Sequence, residues 1–93
     1  MEKRLELLVR TIEITMPCRL GFHLRVVGRF VTHAKRFGST IRVRAGKVTA
    51  NGKNIMGLLL LAAAWKSKLY IEAEGDDADE AIACIKGFFQ TEG

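Results

Sequence analysis

Four short segments in which apolar and polar residues alternate place the strongest constraint on the fold of this chain. They span residues 10–14, 40–45, 47–50 and 68–73. Alternation with a period of two is typical of a strand with one buried and one solvated face. Four such strands favour an antiparallel sheet that is covered on one face only. The predicted inward-facing residues are Ile12, Ile14, Ile41, Val43, Val48, Ala50, Leu69 and Ile71.

Three segments with helical features can supply that cover. We predict helices over residues 24–37, closed by Gly38, over residues 55–65, and over residues 78–89 after an acidic turn. The predicted order is βαββαβα, a two-layer α+β open-faced sandwich with three helices on one face of a four-stranded antiparallel sheet. Apolar residues recur with helical spacing in the second and third helices, at Leu58, Leu61, Ala62 and Trp65, and at Ala78, Ala81, Ile82 and Ile85.

The length of the chain limits its organisation. With 93 residues, of which 48% are hydrophobic, it has enough material for one compact domain and no room for a second. We predict a loose N-terminal extension over residues 1–9 and a single domain over residues 10–93. The longest apolar run, residues 56–65, is too short to cross a bilayer, and charges interrupt the first ten residues. We therefore expect a cytoplasmic protein without membrane insertion.

The two cysteines do not have the spacing of a disulfide framework or a zinc site. Cys18 and Cys84 lie far apart in the sequence, with no nearby pattern of further ligands. We expect free thiols, no metal and no cofactor. Cys18 is near the residues discussed next, but a lone thiol without a paired base gives little reason to assign it a role.

The net charge of +5 is unevenly distributed along the chain. No acidic residue occurs between positions 14 and 71, whereas residues 72–93 contain seven. A basic block of this kind attracts an anion, whether a phosphate group, an acidic protein face or a nucleic acid, in a salt-sensitive manner. A solvated surface that keeps the protein soluble is the alternative interpretation.

His23 stands where a loop leads into the first predicted helix. Unpaired backbone N–H groups at a helix start attract anions, and Arg25 could contact phosphate oxygens with its planar guanidinium. A near-neutral imidazole is a nucleophile at physiological pH and can carry a phosphoryl group. The residues alone leave a second possibility open, that His23 is a solvated loop or cap residue. His33 lies in the middle of the same helix and is predicted to be a surface residue.

Two motifs resemble those of the HPr phosphocarrier proteins of the bacterial phosphotransferase system. Residues 21–25 read Gly-Phe-His-Leu-Arg and are similar to the family's Gly-Leu-His-Ala-Arg phosphorylation site. Residues 52–58 read Gly-Lys-Asn-Ile-Met-Gly-Leu and are similar to its Gly-Lys-Ser-Ile-Met-Gly-Leu segment. The resemblance extends over residues 10–89, with both motifs in the expected order, and the family's element order is also βαββαβα.

The resemblance implies a specific role. His23 would accept a phosphoryl group, with Nδ1 as the favoured nitrogen, from phosphorylated enzyme I and ultimately from phosphoenolpyruvate. It would then pass this group to a histidine of an enzyme IIA domain in sugar transport. Arg25 would steady the phosphate, and Ile55, Met56 and Leu59 would bind the partner proteins. The expectation is a monomeric phosphocarrier, not a stand-alone enzyme, that uses no cofactor and binds no nucleic acid.

Three positions differ from the family pattern. Val26 stands where the family usually has proline, and Asn54 stands where many members have a serine that a dedicated kinase phosphorylates. Asparagine caps a helix well but accepts no phosphate, so no regulatory phosphoserine is expected. Lys66 stands where relatives tend to have glycine after the second helix. A left-handed backbone conformation is less favourable for lysine than for glycine, unless the turn has a different geometry.

Three functions other than sugar transport are alternatives for this sequence. A regulatory or nitrogen-branch HPr-like protein fits the same motifs. A small basic RNA-binding module fits the helices packed on a sheet, but Tyr70 is a lone aromatic residue, and a stacking platform usually needs two or more. An independent enzyme would need a catalytic partner for His23 and a substrate cleft, and the sequence indicates neither.

Overall fold

The predicted element order is confirmed. The computed structural model describes residues 8–17, 19, 21–61 and 66–92. The order is β1 (Val9–Thr15), α1 (Leu24–Ala34), β2 (Thr40–Ala45), β3 (Val48–Asn51), α2 (Ile55–Leu61), β4 (Lys68–Glu74) and α3 (Ala78–Glu92). Most of the predicted N-terminal extension lies outside the described residues, and the proposed boundary at residues 9 and 10 remains a prediction.

The four strands form one antiparallel sheet in the order β1-β4-β2-β3. The register aligns the inward-facing residues, because Ile71 of β4 lies opposite both Ile12 of β1 and Val43 of β2. The hairpin between β2 and β3 turns through Gly46 and Lys47, with Gly46 at a φ of 62°. A two-residue turn with positive φ matches the natural twist of paired strands.

The alternation predicted the buried face of the sheet except at one position. Ile41, Val43, Leu69 and Ile71 are fully buried, Ala50 is buried, and Ile12 and Ile14 pack partly buried against the core. The prediction for Val48 is wrong, because this side chain is exposed. Val48 begins the outer strand β3 beside the hairpin turn, where only one neighbouring strand is available.

A cluster of phenylalanines joins α1 and α3 above the sheet. The Phe30 ring centroid lies 5.6 Å from that of Phe22 and 5.8 Å from those of Phe88 and Phe89. Full burial of one such side chain contributes about 2 kcal/mol to folding. The cluster fixes the position of α1 relative to α3, and therefore also the position of His23, which precedes α1. The described buried face of the helices comprises Val26, Val27, Phe30, Val31, Ala34, Leu58, Leu61, Ala78, Ala81, Ile85, Phe88 and Phe89.

Two helix ends depart from the prediction, because α1 ends before residue 37 and α3 continues beyond residue 89 to Glu92. α1 ends at Ala34, because Arg36 and Phe37 donate to carbonyls three residues back and continue the chain as a tighter turn. After α2, Lys66 takes the left-handed conformation at a φ of 70°, although it is not glycine. Its N–H donates to the Met16 carbonyl at 3.0 Å, which ties this turn to the end of β1. Ala62 and Trp65, predicted to face the core, lie outside the described residues.

The uncovered face of the sheet carries paired charges. Arg42 donates to Glu72 at 2.7 Å and to Glu74 at 3.0 Å, and these hydrogen bonds raise the pKa of Arg42. A groove of about 350 Å³ crosses this face, and His23 does not line it. The groove lining comprises Thr11, Arg42, Arg44, Thr49, Tyr70 and Glu72.

None of the described helices is long and apolar enough to span a membrane.

Candidate functional site

The loop before α1 is anchored by an aromatic side chain. Phe22 is buried, and its ring centroid lies 5.6 Å from Phe30 and 6.1 Å from Phe89. Gly21 precedes it at a φ of 74°, a left-handed conformation that glycine adopts without steric cost. The loop therefore delivers His23 from a backbone that is held against the core.

His23 is the N-cap residue of α1. Its backbone is extended (φ −99°, ψ 173°), its carbonyl accepts from the Val27 N–H at 2.9 Å, and its own N–H donates to Gly21 O at 3.0 Å. An N-cap side chain normally accepts a hydrogen bond from the second or third helical N–H. The His23 side chain makes no such bond and is half-buried. The first N–H groups of α1 therefore lack the acceptor that most helix starts provide.

Arg25 lies two residues further, in the first turn of α1. Its side chain is exposed and makes no hydrogen bond or ion pair within residues 8–17, 19, 21–61 and 66–92. The first turn of α1 contains no acidic residue. The structure thus brings His23 and Arg25 together at one helix start, where no carboxylate of that turn competes for the guanidinium.

This arrangement is suited to an anion carried on the imidazole. Unpaired N–H groups and the positive end of the helix dipole favour negative charge beside His23. A guanidinium can donate two parallel hydrogen bonds to phosphate oxygens. The described geometry therefore supplies a nucleophile, backbone donors and an exposed cation at one helix start.

The second motif forms the entry into α2. A Cβ on Gly52 would lie 2.5 Å from Ile41 Cγ2, so only glycine lets the chain pass β2 this closely. Lys53 Nζ donates to the Phe37 carbonyl at 2.6 Å, which ties this loop to the segment after α1. Asn54 Oδ1 accepts from the Gly57 N–H at 3.1 Å and caps α2. The predicted capping role of Asn54 is confirmed.

One side of α2 presents apolar residues to solvent. Met56 is 64% exposed, Ile55 is exposed, and Leu59 is half-buried against the core. Leu60 is 74% exposed and was not predicted to belong to this surface. At 100° per residue these four side chains cover about 140° of the helix, away from the buried Leu58 and Leu61. That spacing could have identified Leu60 from the sequence.

Leu24 is a second exposed apolar residue that sequence reasoning missed. It follows His23 directly and is 64% exposed at the first position of α1. Because α1 and α2 pack against each other, the two motifs lie on contacting helices. We refer to Leu24, Ile55, Met56, Leu59 and Leu60 as the apolar surface.

His33 lies on the surface of α1 and makes two contacts that the sequence did not predict. Its Nδ1 lies 2.8 Å from the Arg29 carbonyl, and because a carbonyl only accepts, Nδ1 donates. Its ring is half-buried, with its centroid 5.3 Å from that of Phe88, so this surface residue also contacts α3. Among the described residues no group of three or more His, Cys, Asp or Glu side chains could hold a metal ion. Cys18 lies outside the described residues.

Comparison with known proteins gives one consistent result. A family model described as "PTS HPr component phosphorylation site" matches residues 10–91. The chain is 38% identical over 75 residues to the phosphocarrier protein HPr of Pseudomonas aeruginosa, an alignment that covers 80% of this chain and 83% of that protein.

Solved structures agree with this match. A crystal structure of HPr-C-His from Thermoanaerobacter tengcongensis has a TM-score of 0.86 at 30% identity, covering 89% of this chain and 93% of that one. A crystal structure described as an HPr dimer, from the same organism, has a TM-score of 0.72 at 31% identity, covering 85% and 93%. The shared architecture includes the four-stranded sheet and three helices described above.

Proposed function

Because this chain belongs to the HPr family of phosphocarrier proteins of the phosphotransferase system, we propose that His23 is its phosphorylation site. The observation that carries this proposal is the position of His23 as an N-cap residue whose side chain makes no capping hydrogen bond. A phosphoryl group on that ring would lie at the positive end of α1. We propose that the group comes from phosphorylated enzyme I and is passed to an enzyme IIA domain.

The transfer exchanges one N–P bond for another. A ring nitrogen of His23, Nδ1 by family resemblance, attacks the phosphorus of the phosphohistidine on enzyme I. The new N–P bond forms as the donor's N–P bond breaks and the donor imidazole leaves. The proton lost from the His23 ring and the proton gained by the donor ring balance through solvent. The step needs no metal or other cofactor.

Arg25 is proposed to steady the transferred group. Its exposed side chain, without a carboxylate partner among the described residues, is available to follow the phosphoryl oxygens. A guanidinium stays charged throughout, so it balances the negative charge during the transfer.

The apolar surface is proposed to bind both enzyme I and the enzyme IIA domain. Ile55, Met56 and Leu59 were assigned to it by family resemblance, and the exposed Leu24 and Leu60 extend it. Exposed apolar side chains favour docking because their burial contributes binding energy, and Leu24 directly follows His23.

The protein is proposed to act in the cytoplasm as a monomeric carrier in sugar transport, without nucleic-acid binding and without stand-alone enzyme activity. Light scattering of the purified protein tests the monomer, and a filter-binding titration with RNA at low salt tests the nucleic-acid expectation.

Labelling with phosphoenolpyruvate and a compatible enzyme I tests the site. We expect one acid-labile phosphate per chain, none in His23→Ala, and wild-type labelling in His33→Ala, the matched control for the second histidine. Arg25→Ala should slow transfer about tenfold or more without unfolding the protein, as expected when a charge-assisted contact is lost. Labelling that persists in His23→Ala would overturn the assignment.

A further inference from the structure

We propose that the backbone N–H of Val26 donates a hydrogen bond to the phosphoryl group on His23, and that this group thereby acts as the missing N-cap acceptor of α1. This inference rests on the proposed phosphorylation of His23. It assigns a positioning role to a residue that has no reactive side chain.

The position of Val26 in the helix gives the first argument. With His23 as N-cap, Arg25 and Val26 are the second and third helical residues. These are the two positions whose N–H groups an N-cap side chain normally receives. The next N–H, that of Val27, is already bonded to the His23 carbonyl at 2.9 Å. The N–H groups of Arg25 and Val26 have no intrahelical acceptor, so both are available to a phosphoryl oxygen on the N-cap residue.

The burial of Val26 gives the second argument. Its side chain is 2% exposed and belongs to the core, whereas Leu24 is 64% exposed and Arg25 is exposed. Of the three helical N–H groups before Val27, only that of Val26 belongs to a residue held in place by core packing. A donor that is fixed before the phosphate arrives requires little further ordering to bind it.

Proline at this position would remove the donor. Proline has no N–H, although its ring is tolerated in the first turn of a helix. The valine that distinguishes this chain from the usual family pattern therefore adds a donor to the site. We expect the phosphoryl group of this protein to be held by one more backbone hydrogen bond than a proline-containing helix start allows.

A comparison of Val26→Pro with Val26→Ala isolates this donor, because both variants lose the valine side chain and only proline loses the N–H. Both are made in a His33→Gln background, so that His23 is the sole imidazole. The proteins are phosphorylated with potassium phosphoramidate, whose N–P bond breaks to release ammonia as the histidine N–P bond forms. Unfolding in urea is then measured for the phosphorylated and unphosphorylated forms of each.

Phosphorylation should lower the unfolding equilibrium constant of Val26→Ala about tenfold more than that of Val26→Pro, the effect of one charge-assisted hydrogen bond. Equal effects in the two variants would overturn the proposal. If Val26→Pro does not fold, amide NMR of the wild-type chain decides. The Val26 amide proton should shift downfield and exchange more slowly after phosphorylation, with little change at Val27, and an unchanged Val26 amide would overturn the proposal.

This test is independent of the proposed partner proteins. Chemical phosphorylation requires no enzyme I, so the Val26 result stands whether or not enzyme I labels the chain. Conversely, absence of enzyme I labelling with a clear Val26 effect would reject the proposed carrier function and leave the backbone donor in place.

Discussion

The first and third helices begin in opposite ways. The N-cap side chain of α1, His23, makes no capping bond, and the first turn has no acidic residue. α3 follows Asp77 and carries Asp79 and Glu80 in its first turn, so carboxylates lie at the positive end of its dipole. We call the α1 start open, because it has neither a side-chain cap nor a carboxylate in its first turn. We call the α3 start closed, because the carboxylates of Asp77, Asp79 and Glu80 lie there.

Asp77 also holds two loops together. Its carboxylate accepts from the N–H groups of Gly38 and Ser39, each at 2.9 Å, and from the Ser39 hydroxyl. These bonds connect the start of α3 to the segment between α1 and β2. The start of α3 thus contributes to stability through Asp77, whereas the start of α1 is the place where we propose that the anion is carried.

The largest effect on stability is expected when a methyl group is added at Gly75, which lies against Ser39. A Cβ on Gly75 would lie 2.6 Å from Ser39 Oγ and 2.8 Å from Ser39 Cα, and Gly75 has a φ of 149°. We expect Gly75→Ala to lower the free energy of unfolding by about 3 kcal/mol, through steric overlap and backbone strain. Urea denaturation measures this loss, while phosphorylation of the folded protein at His23 should be retained.

Gly87→Ala is the matched control. Gly87 lies within α3, and a Cβ there would meet nothing within 4 Å. Alanine is the better helix former by about 1 kcal/mol, so this variant should be at least as stable as the wild type. A Gly75→Ala protein as stable as Gly87→Ala would contradict the close packing at the α3 start.

The next effect is a pH dependence that originates at Asp77. The hydrogen bonds from Ser39 and Gly38 lower the pKa of Asp77 below its ordinary 3.8. A lowered folded-state pKa contributes stability that is present above the unfolded value and is lost as pH falls through the folded value. We expect Asp77→Asn to lower Tm at pH 7, with the difference from wild type shrinking below about pH 3.8.

Asp76→Asn is the control for this prediction, because it removes the same charge from the neighbouring exposed residue. Its Tm should stay close to that of the wild type across the same pH range. A difference between Asp77→Asn and wild type that does not change down to pH 2 would show that the carboxylate charge of Asp77 contributes nothing to the closed helix start.

Local patterns allowed most of the architecture to be predicted, because strands and helices bury faces with periods that appear directly in the sequence. The four strands, the three helices and the buried Leu58 and Leu61 were obtained in this way. Asp77 was recognised only as an acidic helix start. Its partners Gly38 and Ser39 are 38 to 39 positions away in the sequence, and no periodicity indicates such a pairing.

The candidate site was predictable to a different degree. The position of His23 at a helix start follows from the local sequence, because the glycine before it and the helical periodicity after it are adjacent. The exposure of Leu24 and Leu60 was missed, since exposure depends on where neighbouring elements end. The contact between His33 and Phe88 was missed for the same reason, because it joins α1 to the distant α3.

The smallest effects are expected from substitutions at the N-cap residues of α1 and α2. These variants test the open start of α1 most directly. α2 is capped by Asn54 Oδ1, so Asn54→Ala should lower the free energy of unfolding by about 1 kcal/mol. His23→Ala removes no cap and should cost less. His23→Asn supplies the absent acceptor, so we expect its free energy of unfolding to be about 1 kcal/mol higher than that of His23→Ala. Neither variant should accept a phosphate. Urea denaturation and phosphoenolpyruvate labelling measure both properties. Equal stability of His23→Asn and His23→Ala would mean that the first N–H groups of α1 are already satisfied in the unphosphorylated protein, and the contrast between the two helix starts would then have another origin.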